Sequence, residues 1–374
     1  MVTVRKGDLF RSSAQTIVNT VNCVGIMGKG LALEFKMRFP DMFVHYAGLC
    51  AQGRVRLGEP YLFKALVGPW ILNFPTKGHW RSVSRLSDIV AGLEHLEEHY
   101  REWGITSLAV PALGSGNGGL EWAVVGPTVF RHLSRFDIPV ELYAPLDVPD
   151  HESTSEFLSN DSDSALPFAM PSSDRKIPPA LIALAEIVAR IEAQPFHWPV
   201  GRVAFQKIAY FATMKGLPTG LEFRRGRYGP FCDSLKTVTT RLVNHGLLVE
   251  REHGKMIVVE TGPAFPTARR LAETLLKSWS ALLDDVADLL LRMKGREVEI
   301  AATVHFAARE ARSNGAQPSE MDVLHAVKEW KVRRTPPIPE SAFVESIRGL
   351  NVLGWVDLAF SRELPVESEA AFAD

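Results

Sequence analysis

Two glycine-rich stretches constrain this chain more than any other feature of it. The first reads Asn19-Thr20-Val21-Asn22-Cys23-Val24-Gly25-Ile26-Met27-Gly28-Lys29-Gly30-Leu31-Ala32. The second reads Pro111-Ala112-Leu113-Gly114-Ser115-Gly116-Asn117-Gly118-Gly119-Leu120-Glu121-Trp122. Each follows a strand-like apolar run and opens a helical pattern. Glycine lets the backbone come close to a ligand, and a helix amino terminus offers free N–H groups to an anion. One such loop is more often a plain tight turn. Two at equivalent strand ends predict a cleft that holds a diphosphate.

The periodicity around the loops predicts the fold. Strands are expected at Val2–Arg5, Ile17–Asn22, Ser107–Pro111 and Val140–Tyr143, with a hairpin of Tyr61–Ala65 and Trp70–Asn73. Helices are expected at Leu31–Arg38 (stopping at Pro40), Ser84–Trp103 and Trp122–Phe136. The long middle helix carries Ile89, Leu93 and Leu96 at helical spacing. Strands alternating with helices imply an α/β unit with a mixed, mostly parallel sheet and helices on both faces. Its ligand belongs beyond the carboxyl ends of the strands, where both glycine loops fall.

The chain has 374 residues, which favours two domains over one core. Residues 1–148 form the first. Residues 149–178 hold six acidic residues, seven serines and four prolines, and are expected to be a flexible linker. Residues 179–374 are mainly helical. Helices are expected at Leu181–Ile191, Val203–Met214, Ser234–His245, Thr267–Met293, Glu297–Arg312 and Ser319–Val332, with one more before Gly349. Val352–Phe360 is read as a strand or a helix end. The helix before Gly246 and a hairpin through Lys255–Val259 suggest a winged-helix-like unit.

Lys and Arg total 42 and Asp and Glu 43, so no global charge draws the chain to nucleic acid. The three cysteines (Cys23, Cys50 and Cys232) show no paired spacing, against a disulfide framework or structural zinc. His95 and His99 lie on one helix face, but among glutamates, and no metal site is expected. The amino terminus lacks a signal layout and no apolar run reaches about 18 residues, so a cytoplasmic, non-membrane protein is expected.

Neither loop is a phosphate-binding Gly-Lys-Ser/Thr motif, nor a dinucleotide GxGxxG. The set Gly7-Asp8-Leu9-Phe10, Asn19–Asn22, Gly28-Lys29-Gly30-Leu31-Ala32 and Gly114–Gly119 instead resembles the macrodomain family, in order and spacing. That resemblance implies ADP-ribose as ligand. Asp8 would lie at the adenine amino group, and Leu9 and Thr76 would also touch the ligand. Thr20, Gly28, Gly30 and Leu31 would surround the diphosphate and distal ribose. Pro111, Gly114, Ser115, Gly116, Asn117, Gly118, Gly119 and Leu120 would close over the phosphates.

Thr76-Lys77 after the fourth strand resembles one subgroup, the terminal ADP-ribose-protein glycohydrolases and DarG-type bacterial antitoxins, where this lysine is catalytic. An unprotonated amine could add to the anomeric carbon and form a Schiff base that water releases. A charged Lys77 could instead serve as acid or electrostatic partner, and sequence leaves both open. Asn22 is expected to orient the distal ribose or hold water there, the alternative being a turn cap. The resemblance places Gly118 where the eukaryotic enzymes carry an assisting aspartate. Glu121 is nearby, but opens a helix and suits its dipole. His79, Trp80 and Arg81 suit a stacked base and a phosphate, or else a core tryptophan beside a surface arginine.

Gly118 and the Gly-Gly-Leu-Glu-Trp run look like the DarG branch, which implies ADP-ribosylated single-stranded DNA as substrate. Gly201–Phe211 and Arg227–Phe231 resemble antitoxin domains that bind toxins directly. The implied partner is a DNA ADP-ribosyltransferase toxin. Arg224, Arg225 and Arg227 are an interface cluster or ordinary surface charge. No cofactor is expected. A reader that binds ADP-ribose without chemistry, and an enzyme acting on protein carboxylate esters, are the competing readings.

Overall fold

The computed structural model describes residues 1–159, 177–254, 256–312 and 317–364. They form two compact units, the first made of Met1–Ile177 together with Lys236–His245, the second of the remainder.

The first unit begins with β1 (Val2–Arg5), β2 (Thr16–Asn22), α1 (Gly30–Arg38) and α2 (Pro40–Ala51). It continues through β3 (Tyr61–Phe63), β4 (Trp70–Lys77), α3 (Leu86–His99), β5 (Leu108–Val110), α4 (Trp122–Leu133), β6 (Val140–Tyr143) and α5 (Ser155–Ser159). The sheet order is β1-β6-β5-β2-β4-β3, parallel except for the antiparallel edge strand β3. Alternation along β2 decides both faces. Ile17 and Val21 join Phe35, Met42 and Tyr46 from α1 and α2 on one side. Val18 joins Leu93, Leu96, Val125 and Val129 from α3 and α4 on the other. Fully burying each such side chain contributes roughly 1.5–3 kcal/mol. On α3, Gly92 lies against the Phe74 ring so closely that a Cβ would come within 2.4 Å of it.

The first helix ends at Arg38, as expected, but no helix was expected directly after it: Pro40 opens α2 as its first residue, where its missing N–H costs nothing. The linker was expected to start at 149, yet a 3₁₀ turn (Asp150–Ser153) and α5 follow. Leu158 is buried in the core, and Trp122 Nε1 donates to Glu152 O at 2.9 Å. Two apolar residues, Phe157 and Leu158, suffice to dock an otherwise acidic, serine-rich segment. The rest of the expected linker, 160–176, lies outside the described residues.

The later chain contributes α6 (Pro179–Glu192), α7 (Arg202–Met214), β7 (Arg224–Gly226), β8 (Gly229–Phe231), α8 (Leu235–Asn244), β9 (Leu248–His253) and β10 (Met256–Thr261). Then come α9 (Phe265–Leu271), α10 (Glu273–Ser278), α11 (Ser280–Leu291), α12 (Gly295–Arg312), α13 (Glu320–Lys331) and α14 (Glu340–Val352). The second unit is mainly helical, as expected. The single helix expected over Thr267–Met293 is instead three, broken near Ala272 and Trp279. The last helix runs through Gly349 to Val352, and Val352–Phe360 forms no strand beyond one bridge at Ala359. The wing-like hairpin β9–β10 is present and packs on α6 and α7.

Buried charge organises this unit. Lys207 of α7 is fully buried and donates to Pro230 O of the β7–β8 hairpin at 2.6 Å. Lys331 of α13 donates to Arg227 O and to the buried Glu299 of α12, both at 3.0 Å. Trp330 Nε1 donates to Gly226 O. Gly201–Phe211 and Arg227–Phe231, singled out by resemblance, therefore meet through Lys207. Burial, then the neighbouring Lys331, pushes the Lys207 ammonium down to about 7, with Glu299 opposing. In the arginine cluster, Arg224 pairs with Asp233 and Arg225 with Glu310, while Arg227 lies over the Tyr228 ring.

Candidate ADP-ribose site

The ends of β2 and β4 build the centre of the site. β4 is expected over Trp70–Asn73 alone. The strand continues to Lys77, and the register shifts by one residue after Val21↔Pro75, so that Asn22 pairs with Lys77. The extra residue is Thr76, and the irregularity sets Lys77 beside Asn22 at the carboxyl end of the sheet. Buried Thr76 donates from Oγ1 to Val21 O at 3.4 Å, and Cys23 N donates to Gly78 O at 2.8 Å, tying the two strand ends together.

The Asn22 side chain is engaged in its own loop. Its Oδ1 accepts from Val24 N at 3.0 Å and Ile26 N at 3.3 Å, and its Nδ2 donates to Ile26 O at 2.6 Å. Beneath it, Tyr46 donates to Asn22 O at 2.7 Å. Burial is the main cause that raises both Tyr46 and Cys50 above their ordinary range, so both stay protonated behind the strand end. In this structure Asn22 shapes the first glycine loop, the role of a turn cap.

The second loop folds on itself by Ser115 N to Ala112 O, Gly119 N to Gly116 O and Leu120 N to Gly114 O. The two loops meet: a Cβ on Gly30 would lie 3.0 Å from Asn117 Nδ2. Half-buried Lys77 reaches across to this loop and donates from Nζ to Asn117 O at 2.7 Å. Asn22, Lys77 and the Gly114–Gly119 loop are thus brought together as expected. Thr20 lies within β2, and Gly28, Gly30 and Leu31 lie in the first loop and the start of α1. Pro111 and buried Leu120 flank the second loop. Exposed Asp8 caps the 3₁₀ turn Leu9–Arg11 after β1, accepting from Phe10 N at 3.0 Å, with Leu9 buried beneath.

Gly118 is the most constrained of these residues. A Cβ there would stand 2.2 Å from Gly114 O and 2.3 Å from Ser84 Oγ. A side chain at this position, an aspartate included, has no room in this loop as it is folded. Glu121 is the N-cap residue of α4 and makes no side-chain cap bond. Ser84, whose N donates to Gly118 O at 3.0 Å, escaped the sequence reading for want of any local pattern.

Trp80 is exposed, not a core residue, and Arg81 lies over its ring at 4.5 Å with His79 beside it. His95 and His99 stack on each other and adjoin Trp103. Among the described residues no cluster of three His, Cys, Asp or Glu is placed to hold a metal, and no helix is long and apolar enough to cross a membrane.

The Macro domain family model matches residues 18–129. The DNA ADP-ribosyl glycohydrolase of Mycobacterium tuberculosis is 33% identical over 358 residues, covering 89% of this chain and 94% of that protein. The DNA ADP-ribosyl transferase-DNA ADP-ribosyl glycohydrolase fusion protein of Thermosipho africanus is 42% identical over 173 residues. That match covers 41% of this chain and 45% of the fusion, so the chain spans less than half of that relative. The solved structure of Thermosipho africanus DarTG in complex with ADP-ribose is 42% identical, with a TM-score of 0.41, covering 42% of this chain and 45% of that one. With a macrodomain in its first unit and one-third identity along most of its length, the chain belongs to the DNA ADP-ribosyl glycohydrolase family.

Proposed function

We propose that the first unit binds ADP-ribose between its two glycine loops and hydrolyses it from bases of single-stranded DNA. The observation that carries this reading is Lys77, turned by the strand-end irregularity toward Asn22 and the second loop. Helix starts and loop N–H groups suit the diphosphate, and Asp8 suits the adenine amino group. The anomeric carbon then falls to Lys77. Two chemistries use this amine there. As nucleophile, Lys77 forms a C–N bond to the anomeric carbon as the base leaves with the bonding electron pair, and water later releases ADP-ribose from the opened Schiff base. As ammonium, it protonates or stabilises the departing base while water attacks. Borohydride trapping of a protein–ADP-ribose adduct distinguishes the first.

The second unit is assigned to a partner, the cognate DNA ADP-ribosyltransferase, making the chain the antitoxin of a pair. A relative that joins a transferase and a glycohydrolase in one chain supports this. No catalytic residue is proposed in the second unit. The crowding at Gly118 favours one rival, a reader without chemistry, because the assisting carboxylate has no place.

The experiment is a time course of the full chain with an ADP-ribosylated single-stranded oligonucleotide, with a protein carboxylate ester of ADP-ribose, and with free ADP-ribose in calorimetry. Release from the oligonucleotide supports the proposal. Release from the ester alone would transfer it to protein substrates, and tight binding without turnover on either would make the chain a reader.

A further inference from the structure

The first unit includes one helix from far along the chain. Residues Lys236–His245, from α8, belong to it. Asn244 anchors the helix: its Oδ1 accepts from Leu86 N at 2.7 Å and its Nδ2 donates to Ser84 O at 3.1 Å. Thr240 sits over the second glycine loop, where a Cβ on Gly119 would come within 2.5 Å of its Oγ1. One turn earlier, Lys236 donates from Nζ to Asn117 O at 2.6 Å. That is the oxygen that Lys77 Nζ reaches at 2.7 Å. The two amines share a single carbonyl and lie within about 5 Å of each other.

A lone surface lysine would mean little. This one is held at a stated point: beside the amine assigned to the scissile bond, and on the loop that closes over the ligand. We propose that Lys236 contacts a backbone phosphate of the nucleic-acid strand next to the modified nucleotide, so that it selects adducted strand over free ADP-ribose. The inference rests on the reading of Lys77 given above. When the base leaves the anomeric carbon it is still joined to its own sugar-phosphate chain, so a phosphate must lie near Lys77. An ammonium at that distance from Lys77 is placed to meet it, and phosphate contacts of this kind position a strand without reading its sequence. The diphosphate of ADP-ribose offers the same chemistry, and the experiment separates the two.

Affinity is measured by fluorescence anisotropy for an ADP-ribosylated oligonucleotide and by calorimetry for free ADP-ribose, in a Lys77→Ala background that does not consume the adduct. Lys236→Gln is expected to weaken the adducted oligonucleotide several-fold and to lower the salt dependence of its binding by about one phosphate contact. Free ADP-ribose should move less than twofold. Lys236→Arg should restore the oligonucleotide affinity, which a purely structural role for the side chain would not produce. Unchanged oligonucleotide affinity and salt slope would overturn the inference. So would equal losses for both ligands, which would assign Lys236 to the diphosphate. Turnover by the unmodified chain is scored separately, so failure of the hydrolase reading is visible on its own.

Discussion

Both units set lysines on main-chain carbonyl oxygens, and the surroundings of those lysines differ. In the first, half-buried Lys77 donates to Asn117 O on a loop at the open end of a parallel sheet. In the second, Lys207 is fully buried on Pro230 O, and Lys331 is held between Arg227 O and Glu299. The loop bond can be exchanged for a ligand without disturbing a core. The buried bonds fasten the β7–β8 hairpin to three helices and cannot be exchanged without unfolding it. Residue type alone is silent on which lysine does chemistry; its exposure and the element that carries it decide.

The largest effect expected from breaking this contrast is in the second unit. Lys331→Met removes the shorter ion pair of buried Glu299, leaving the longer one to Arg334, and takes the donor from Arg227 O. Breaking a buried pair in this way costs about 3 kcal/mol. Urea unfolding should show that loss, while ADP-ribose affinity stays unchanged. An unchanged unfolding midpoint would contradict the structural role of the network.

Gly118→Asp probes the first unit. It installs the carboxylate that the macrodomain resemblance leads one to expect there, at a position where even a Cβ meets Gly114 O at 2.2 Å. The loop must deform, with a cost of about 2 kcal/mol in the usual range of strained substitutions. Weaker ADP-ribose binding by calorimetry and slower turnover are expected. Faster turnover with intact affinity would show that the loop accommodates an acid after all.

The subtlest effect per pH unit is the pH dependence of Lys207. Its pKa falls to about 7 in the folded chain from an ordinary 10.5, chiefly through burial. Between those values the unfolded chain binds more protons, so stability must rise with pH across that window and the penalty is complete below about 7. One proton gives a slope of up to about 1.4 kcal/mol per pH unit. Denaturant midpoints from pH 7 to 9 should rise in the parent chain and flatten in Lys207→Met; parallel slopes in the two would refute the assignment.

The glycine loops were legible because a glycine-rich turn between a strand and a helix is a local backbone requirement, and Ile17, Val18 and Val21 mark a strand buried on both faces. What escaped was what tertiary context supplies. The last residues of β4, 74–77, show no strand pattern of their own and are held by their pairing with β2. Pro40 marks the stop of α1 but also opens α2, a helix the periodicity did not disclose. Phe157 and Leu158 were outvoted by acidic and serine neighbours, although docking two apolar side chains outweighs composition. The β7–β8 hairpin has no alternating pattern, since Arg224–Phe231 is held by Lys207, Trp330 and Lys331 from elsewhere. Nothing near Lys236 in sequence announces that it belongs with residues near position 117.

The central claim is that Lys77 turns an ADP-ribose site into a hydrolase. The most direct test pairs affinity for free ADP-ribose with single-turnover release from an ADP-ribosylated single-stranded oligonucleotide, in the unmodified chain and in Lys77→Ala. The account predicts ADP-ribose affinity within about threefold and release slowed by a factor on the order of 10³, as for loss of a group that acts at the reacting carbon. Equal release rates in the two proteins would contradict it.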